Sequence, residues 1–216
     1  MIPFLWLVFP LQTGEPLAIL ALTDAPLGAG LPPGWMVRAV RGQVAPETEI
    51  RNDGDGPVIR ISGAERAAWF FREFASPIAE TPGRVRWSWR VLEAPDGADL
   101  REQGADDSPV RVYVVFGKPG RIFGGSGRII FYTYGNGEPS GYARASYQSG
   151  KLYVMRVDGA TEEGRWHDHG ADPFADYRRI WRRDPPAITA IGVMQDTDQT
   201  GAKAVAELRR LEWVTP

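Results

Sequence analysis

The stretch that decides the fold is Arg84–Glu93, RVRWSWRVLE. Val85, Trp87, Trp89 and Val91 fall on one side of an extended chain, and Arg84, Arg86, Ser88 and Arg90 on the other. This strict alternation is the mark of a strand that packs one face on a core and shows the other to water. The same period of two recurs on both sides of it. Pro57–Ser62 (PVIRIS) alternates, and Ala67–Phe74 is a more continuous aromatic run. Pro109–Phe116 (PVRVYVVF) sets Val110, Val112, Val114 and Phe116 against Arg111, Tyr113 and Val115. Arg128–Tyr134 and Lys151–Asp158 follow, and Ala187–Gln195 with Ala204–Trp213 reads as a closing hairpin.

One segment breaks the pattern. Asp172 is placed to cap a helix, Pro173 suits its first position, and Phe174, Tyr177, Ile180 and Trp181 recur at helical spacing. The helix is expected near 172–183 and stops before Pro185 and Pro186. The 25 Gly and 18 Pro in 216 residues exceed the roughly 26 that an average chain of this length carries for the two together, so turns are frequent. About ten short strands, one short helix and many turns predict an all-β fold, an antiparallel β-sandwich or jelly roll. A single domain of this length is expected over residues 35–216. Before it, residues 1–34 read as an apolar arm and a Gly/Pro-rich connector, Asp24–Gly34 (DAPLGAGLPPG).

The apolar runs of that arm, Ile2–Leu11 and Leu17–Leu22, are shorter than the roughly 20 residues of a membrane span. No Lys or Arg precedes Arg38, so a secretory signal would be a degenerate one. A first strand with a loosely packed arm explains the runs equally well.

Composition excludes several functions. A net charge of −2, from 25 basic and 27 acidic residues well mixed along the chain, leaves no basic stripe for nucleic acid. Cysteine is absent, which removes disulfides, thiolate nucleophiles and cysteine-based metal sites. There is no Gly-x-Ser-x-Gly elbow and no phosphate-binding Gly-Lys-Ser/Thr loop. The Gly-rich Gly117–Gly127 joins two strands and reads as a loop over one end of the sandwich. Nothing in the sequence speaks to oligomeric state.

Three stretches, RVRWSWRV (84–91), DDSPVRVYVVF (106–116) and DYRRIWRRDPPAITAIGVMQDTDQTGAKAVAELRRLEW (176–213), together resemble the bacterial family known as domain of unknown function 3047. The resemblance runs from about Trp35 onward. It implies a jelly-roll sandwich of the carbohydrate-binding sort and a periplasmic or secreted location. It names no activity. The chain departs from the family where relatives tend to carry an Arg-Asn pair before the helix, having His169, Gly170 and Ala171 instead.

Three constellations could carry chemistry. Asp196–Glu207 (DTDQTGAKAVAE) places Asp196, Asp198, Thr200 and Glu207 at positions one, three, five and twelve of a loop with Gly201 at six. That spacing approaches a calcium loop, in which carboxylates and a hydroxyl surround a hard cation. Against it, Lys203 stands where an apolar residue is usual and the flanks read as strands; a polar turn capped by its own Asp side chains is the alternative. The second is a ligand-binding set of Asp107, Arg111 and Tyr113 with Trp87 and Trp89, in which aromatic faces meet the apolar side of a sugar ring and charges meet its hydroxyls. The alternation of their own strand favours the core for Trp87 and Trp89. The third is His167-Asp168-His169, which in a strand directs both imidazoles to one side and suits zinc, copper or iron. These are the chain's 2 histidines, so Asp172 or Asp176 would have to complete such a set. The segment reads as a loop entering the helix.

The expected function is therefore non-catalytic binding of a carbohydrate or similar polar polymer outside the cytoplasm, with calcium as the one cofactor suggested. The alternatives are a polysaccharide lyase or hydrolase on the same fold, or a structural protein of the envelope.

Overall fold

The computed structural model describes residues 15–118, 127–159 and 163–215. The run Ile2–Leu11 and most of the loop within Gly117–Gly127 lie outside them.

Among the described residues thirteen strands and one helix follow one another as β1 (Leu17–Ala18), β2 (Met36–Ala39), β3 (Glu47–Asn52), β4 (Pro57–Ala64), β5 (Ala67–Ile78), β6 (Arg84–Glu93), β7 (Ser108–Phe116), β8 (Arg128–Gly135), β9 (Ala143–Ala145), β10 (Leu152–Gly159), β11 (His167–Ala171), α1 (Pro173–Trp181), β12 (Ile188–Asp196) and β13 (Lys203–Val214). They form two sheets. One has the order β11-β6-β13-β4-β3, with β1 paired to β13, and the other runs β2-β5-β12-β7-β8-β10-β9. The alternation of the sequence is obeyed. Val85, Trp87, Trp89 and Val91 of β6 and Val110, Val112, Val114 and Phe116 of β7 are buried in the core between the sheets. Each buried tryptophan removes roughly 150–250 Å² from water, an upper bound of about 4–6 kcal/mol.

Two features sharpen this outline. The sandwich begins before Trp35, because Ile19, Leu20 and Leu22 belong to the core and the amides of Ile19 and Leu20 both donate to the Leu211 carbonyl at 2.9 and 3.0 Å. The Gly/Pro stretch is laid against β3 by paired bonds between Gly28, Ala29 and Ile50, so its turns serve packing. The sheets are also not wholly antiparallel. β10 runs parallel to β8, since residues 136–151 carry the chain past that strand before it returns, a crossover long enough for a parallel pair.

The helix forms as its signals dictate. Asp172 accepts a hydrogen bond from the Ala175 amide at 2.9 Å, and Arg182 closes the other end in the left-handed region. Phe174 then packs edge to face on Phe116 and Trp213, and Tyr177 lies tilted against Phe116, so α1 plugs one end of the sandwich. Among the described residues no helix is long and apolar enough to cross a membrane.

Candidate functional site

Two places on this frame gather chemistry. The first is the outer face of the seven-stranded sheet. Residues of β5, β7, β8, β10 and β12 that point away from the core form a second apolar cluster, with Trp69, Tyr113, Phe131 and Met194 at its centre. Trp69 meets Tyr113 edge to face at 5.1 Å between ring centroids and Phe131 at 5.4 Å. Gly192 makes room for this. A Cβ there would strike the Phe70 carbonyl and come within 2.8 Å of both Phe71 Cβ and Tyr113 Cζ. The Tyr113 hydroxyl reaches back toward the Phe70 carbonyl at 3.4 Å, and burial holds its pKa well above the usual phenol value. Half-buried Phe71, Val115 and Tyr142 form the margin. Exposed Met36 and Arg38 lie across from Phe71 and Trp69 on the edge strand β2, and exposed Glu73 follows on β5.

This face ends in the turn between β12 and β13. Arg111 donates through Nη1 to Asp196 Oδ2 at 3.1 Å and through Nη2 to the Asp106 carbonyl. Asp107 accepts from the Thr200 amide and hydroxyl, each at 2.7 Å, and from the Gln199 amide at 3.3 Å. Oxygens of Asp107, Asp196 and Asp198 all lie within 4.8 Å of one another. Burial pushes the Asp196 carboxyl up to about 7; Arg111 opposes this, while Asp198, Asp107 and Asp106 add to it. Burial also raises Asp198, against a hydrogen bond from Asp196.

The expected sets are only partly assembled. Of Asp196, Asp198, Thr200 and Glu207, the first two converge, and Thr200 spends its hydroxyl on Asp107. Glu207 is elsewhere. It lies fully buried on β13, where Arg60 Nε at 2.9 Å and Arg90 Nε at 2.7 Å clamp its two oxygens. The loop count places it at position twelve, but the chain re-enters a strand at Lys203 and carries Glu207 along the opposite sheet. Asp107, the residue before β7, takes its place. The ligand set is likewise divided. Arg111 and Tyr113 lie on the outer side of their sheet but are only 4% and 2% exposed, Asp107 is fully buried, and Trp87 and Trp89, 1% and 0% exposed, face the core on the other sheet, so none of the five presents an open surface to a sugar.

The second place is the open edge between the sheets. HDHGA is a strand rather than a loop: β11 pairs antiparallel with β6, placing His167 opposite Trp89 and His169 opposite Trp87. Both imidazoles therefore point to the inner side. Asp172 is occupied as the helix cap, and Asp176 accepts from the Tyr132 hydroxyl at 2.9 Å, so neither completes the histidine pair. Asp158 of β10 does. Its Oδ2 lies 3.1 Å from His169 Nε2 and 3.6 Å from His167 Nδ1, and accepts from Trp89 Nε1 at 3.0 Å. A register shift between Arg156 and Asp158 turns this carboxylate inward, a bulge re-aiming a side chain. Burial works against the charged Asp158, but the bonds from His169, Trp89 and the Gly159 amide outweigh it and hold the carboxyl below the usual range.

These features define a two-sheet β-sandwich of jelly-roll type with an aromatic outer face and polar clusters at a turn and an edge. The chain belongs to the family described as protein of unknown function DUF3047, whose model matches residues 33–212. No curated protein matches it. Among solved structures it is similar to the family 11 carbohydrate-binding module from Clostridium thermocellum in complex with a β-1,3-1,4-mixed-linked tetrasaccharide, at 10% identity over 94% of this chain and 96% of that one, with a TM-score of 0.48. It is also similar to the endoglucanase cel12A from Rhodothermus marinus, at 11% identity over 94% and 96% of the two chains with a TM-score of 0.44. A third is the family 11 xylanase from Neocallimastix patriciarum, at 10% identity over 87% and 94%, also with a TM-score of 0.44.

Proposed function

We propose that this protein binds a carbohydrate chain, without catalysis and outside the cytoplasm, along the outer face of its seven-stranded sheet. The observation that supports it is the margin of that face, where half-buried Phe71, Val115 and Tyr142 pack on the buried Trp69–Tyr113–Phe131 strip beside exposed Met36 and Arg38. Beyond the sheet's own residues, the cluster draws only on Leu100, Val40 and Tyr142 from flanking segments. Half-buried aromatic rings beside exposed polar groups supply the apolar area and the few polar contacts that a sugar site needs. Charges of both signs stand at its margin, Arg38 and Glu73, so the face offers donors and acceptors without a single-signed field. A neutral sugar polymer, apolar on its ring faces and rich in hydroxyls at its edges, fits that combination better than a polyanion or a peptide of one charge.

The test is a glycan array followed by affinity electrophoresis on soluble polysaccharides. Binding is expected for at least one neutral polymer, weakened about tenfold or more in Phe71→Ala and Arg38→Ala while the melting temperature holds. Blank results in both assays would remove the proposal.

A second reading, hydrolysis or lysis of the same polymer, draws on one observation. Asp196, pushed up to about 7, adjoins Asp198, whose carboxyl is also raised by burial, and two neighbouring carboxyls that share a proton can act as an acid and its partner. Release of reducing or unsaturated ends by the purified protein, lost in Asp198→Asn, would favour it over simple binding.

A further inference from the structure

We propose that Asp158, His167 and His169 form a binding site for one divalent transition-metal ion of the zinc class, at the open edge between the two sheets. The site is independent of the outer face, since its ligands point to the opposite side of the strands.

The donor set selects the ion. Two imidazoles and one carboxylate suit zinc and its neighbours; calcium and magnesium prefer oxygen donors. Three protein ligands with one position left for water is the composition of an open zinc site. Ligands at about 2.0–2.2 Å from a tetrahedral zinc stand roughly 3.3 Å from one another. The carboxylate-to-imidazole separations of 3.1 and 3.6 Å bracket that value. All three ligand atoms lie within 4.8 Å of one another, so small rotations of the side chains bring them to a common centre.

Two further features are those of a built site. The first is the bulge in β10. Strand alternation alone would send Asp158 outward with Arg156; the register shift instead sets it opposite Tyr134, a core residue. The second is the fixing of the ligands from behind. The Asp158 carboxylate is oriented by the Trp89 indole N–H on Oδ2 and the Gly159 amide on Oδ1 at 2.9 Å. The His169 ring is held between Trp87, stacked at 5.3 Å, and Trp89, edge-on at 5.2 Å. Outer groups that hold ligands in this way raise metal affinity ten- to a hundredfold. Access is available, for the two histidine side chains keep 21% and 19% of their exposure.

The experiment is a zinc titration of the purified, chelator-treated protein by competition with a chromogenic chelator, with calcium and magnesium as controls. One zinc per chain is expected, and no competition from either control ion. His167→Gln, at the more exposed histidine, should weaken binding at least tenfold while its circular dichroism and melting temperature stay near wild type. Trp89→Phe, which keeps all three ligands, should weaken it by roughly tenfold. Because His169 packs on two tryptophans, His167→Gln is the decisive variant if a His169 variant fails to fold. Cobalt substituted for zinc should give visible absorption of tetrahedral intensity, abolished in His167→Gln. Absence of stoichiometric zinc binding in wild type, or undiminished binding in a folded His167→Gln, would overturn the site and leave the cluster as an ion pair that closes the sandwich edge.

Discussion

Trp87 and His169 face each other across the β11–β6 pair and stack, their ring centroids 5.3 Å apart and their planes 29° from parallel. A buried core tryptophan thus forms the back wall of a half-exposed polar cluster. The two tryptophans of β6 should separate in mutational tests for this reason. Trp87→Ala leaves a cavity beneath both His169 and Tyr132 and should cost about 3–5 kcal/mol in urea unfolding. Trp89→Phe keeps most of the packing but removes the N–H that bonds the Asp158 carboxylate, and should cost about 2 kcal/mol.

Glu207 carries a different expectation from the one its place in the sequence suggests. It is clamped by Arg60 and Arg90, and Arg90 with Arg209 lies over the Trp166 ring at 4.7 and 4.6 Å. Glu207→Ala strands two guanidinium groups against a buried patch. The loss should be about 3 kcal/mol, at the low end for a broken buried pair because both arginines keep some water. It should be the same with and without calcium, which thermal melts in chelator and in calcium will check.

The Asp196 turn predicts a pH dependence of definite sign. Its carboxyl stands at about 7 in the folded protein and at about 3.9 in an unfolded chain. Below the lower value both states hold the proton. As pH rises from about 4 to about 7 the unfolded state releases it first, so stability falls over that window and levels off above it. Asp198→Asn removes one of the charges that raise Asp196 and should flatten the decline in melting temperature. Calcium bound by Asp107, Asp196 and Asp198 would act the same way, raising the wild-type melt at pH 8 but not that of Asp198→Asn. Calcium would have to share Asp196 with Arg111, and an unchanged melt removes it from this turn.

Gly192 tests the aromatic face. Gly192→Ala inserts a methyl where the Phe70 carbonyl, Phe71 and Tyr113 already meet. Overpacking of this kind should cost about 1–3 kcal/mol and tilt the Tyr113 ring. The readouts are denaturant unfolding and the near-ultraviolet dichroism of the Trp69–Tyr113 pair. Any glycan affinity found for wild type should fall with them.

The helix cap is the simplest case. Asp172→Ala removes the acceptor for the Ala175 amide and should lower stability by about 1 kcal/mol, measured by thermal melting.

The architecture was legible wherever one strand declares its own two faces. Arg84–Glu93 and Pro109–Phe116 alternate and send Val85, Trp87, Trp89 and Val91, and Val110, Val112, Val114 and Phe116, into the core as read, but the other face of the second strand, with Arg111 and Tyr113, is buried as well. Asp172 and Pro173 announced the helix for an equally local reason. What the sequence could not show depends on pairing across the fold. HDHGA has few strand-forming residues, and it is extended because β6 offers it an edge. Asp158 belongs to the other sheet, and the bulge that turns it inward breaks the very period by which faces are read. The calcium-like count has the same limit: spacing along one segment cannot reveal that Asp107, just before β7, is the third carboxylate. The Trp69–Tyr113–Phe131 strip was missed for a related reason, since each strand contributes a single ring.

The last two strands, β12 and β13, sit in the middle of the seven- and six-stranded sheets respectively. A chain leaving the ribosome N-terminus first therefore has no partner for β5 against β7, or for β4 against β6, until residues 188–214 have emerged. Before them the chain can form local pairs such as β3–β4, β2–β5 and β7–β8, but neither sheet can be joined across its middle. A nascent chain arrested before β12 should therefore remain protease-sensitive, and the window in which a chaperone can hold this sandwich unfolded lasts until β13 has emerged.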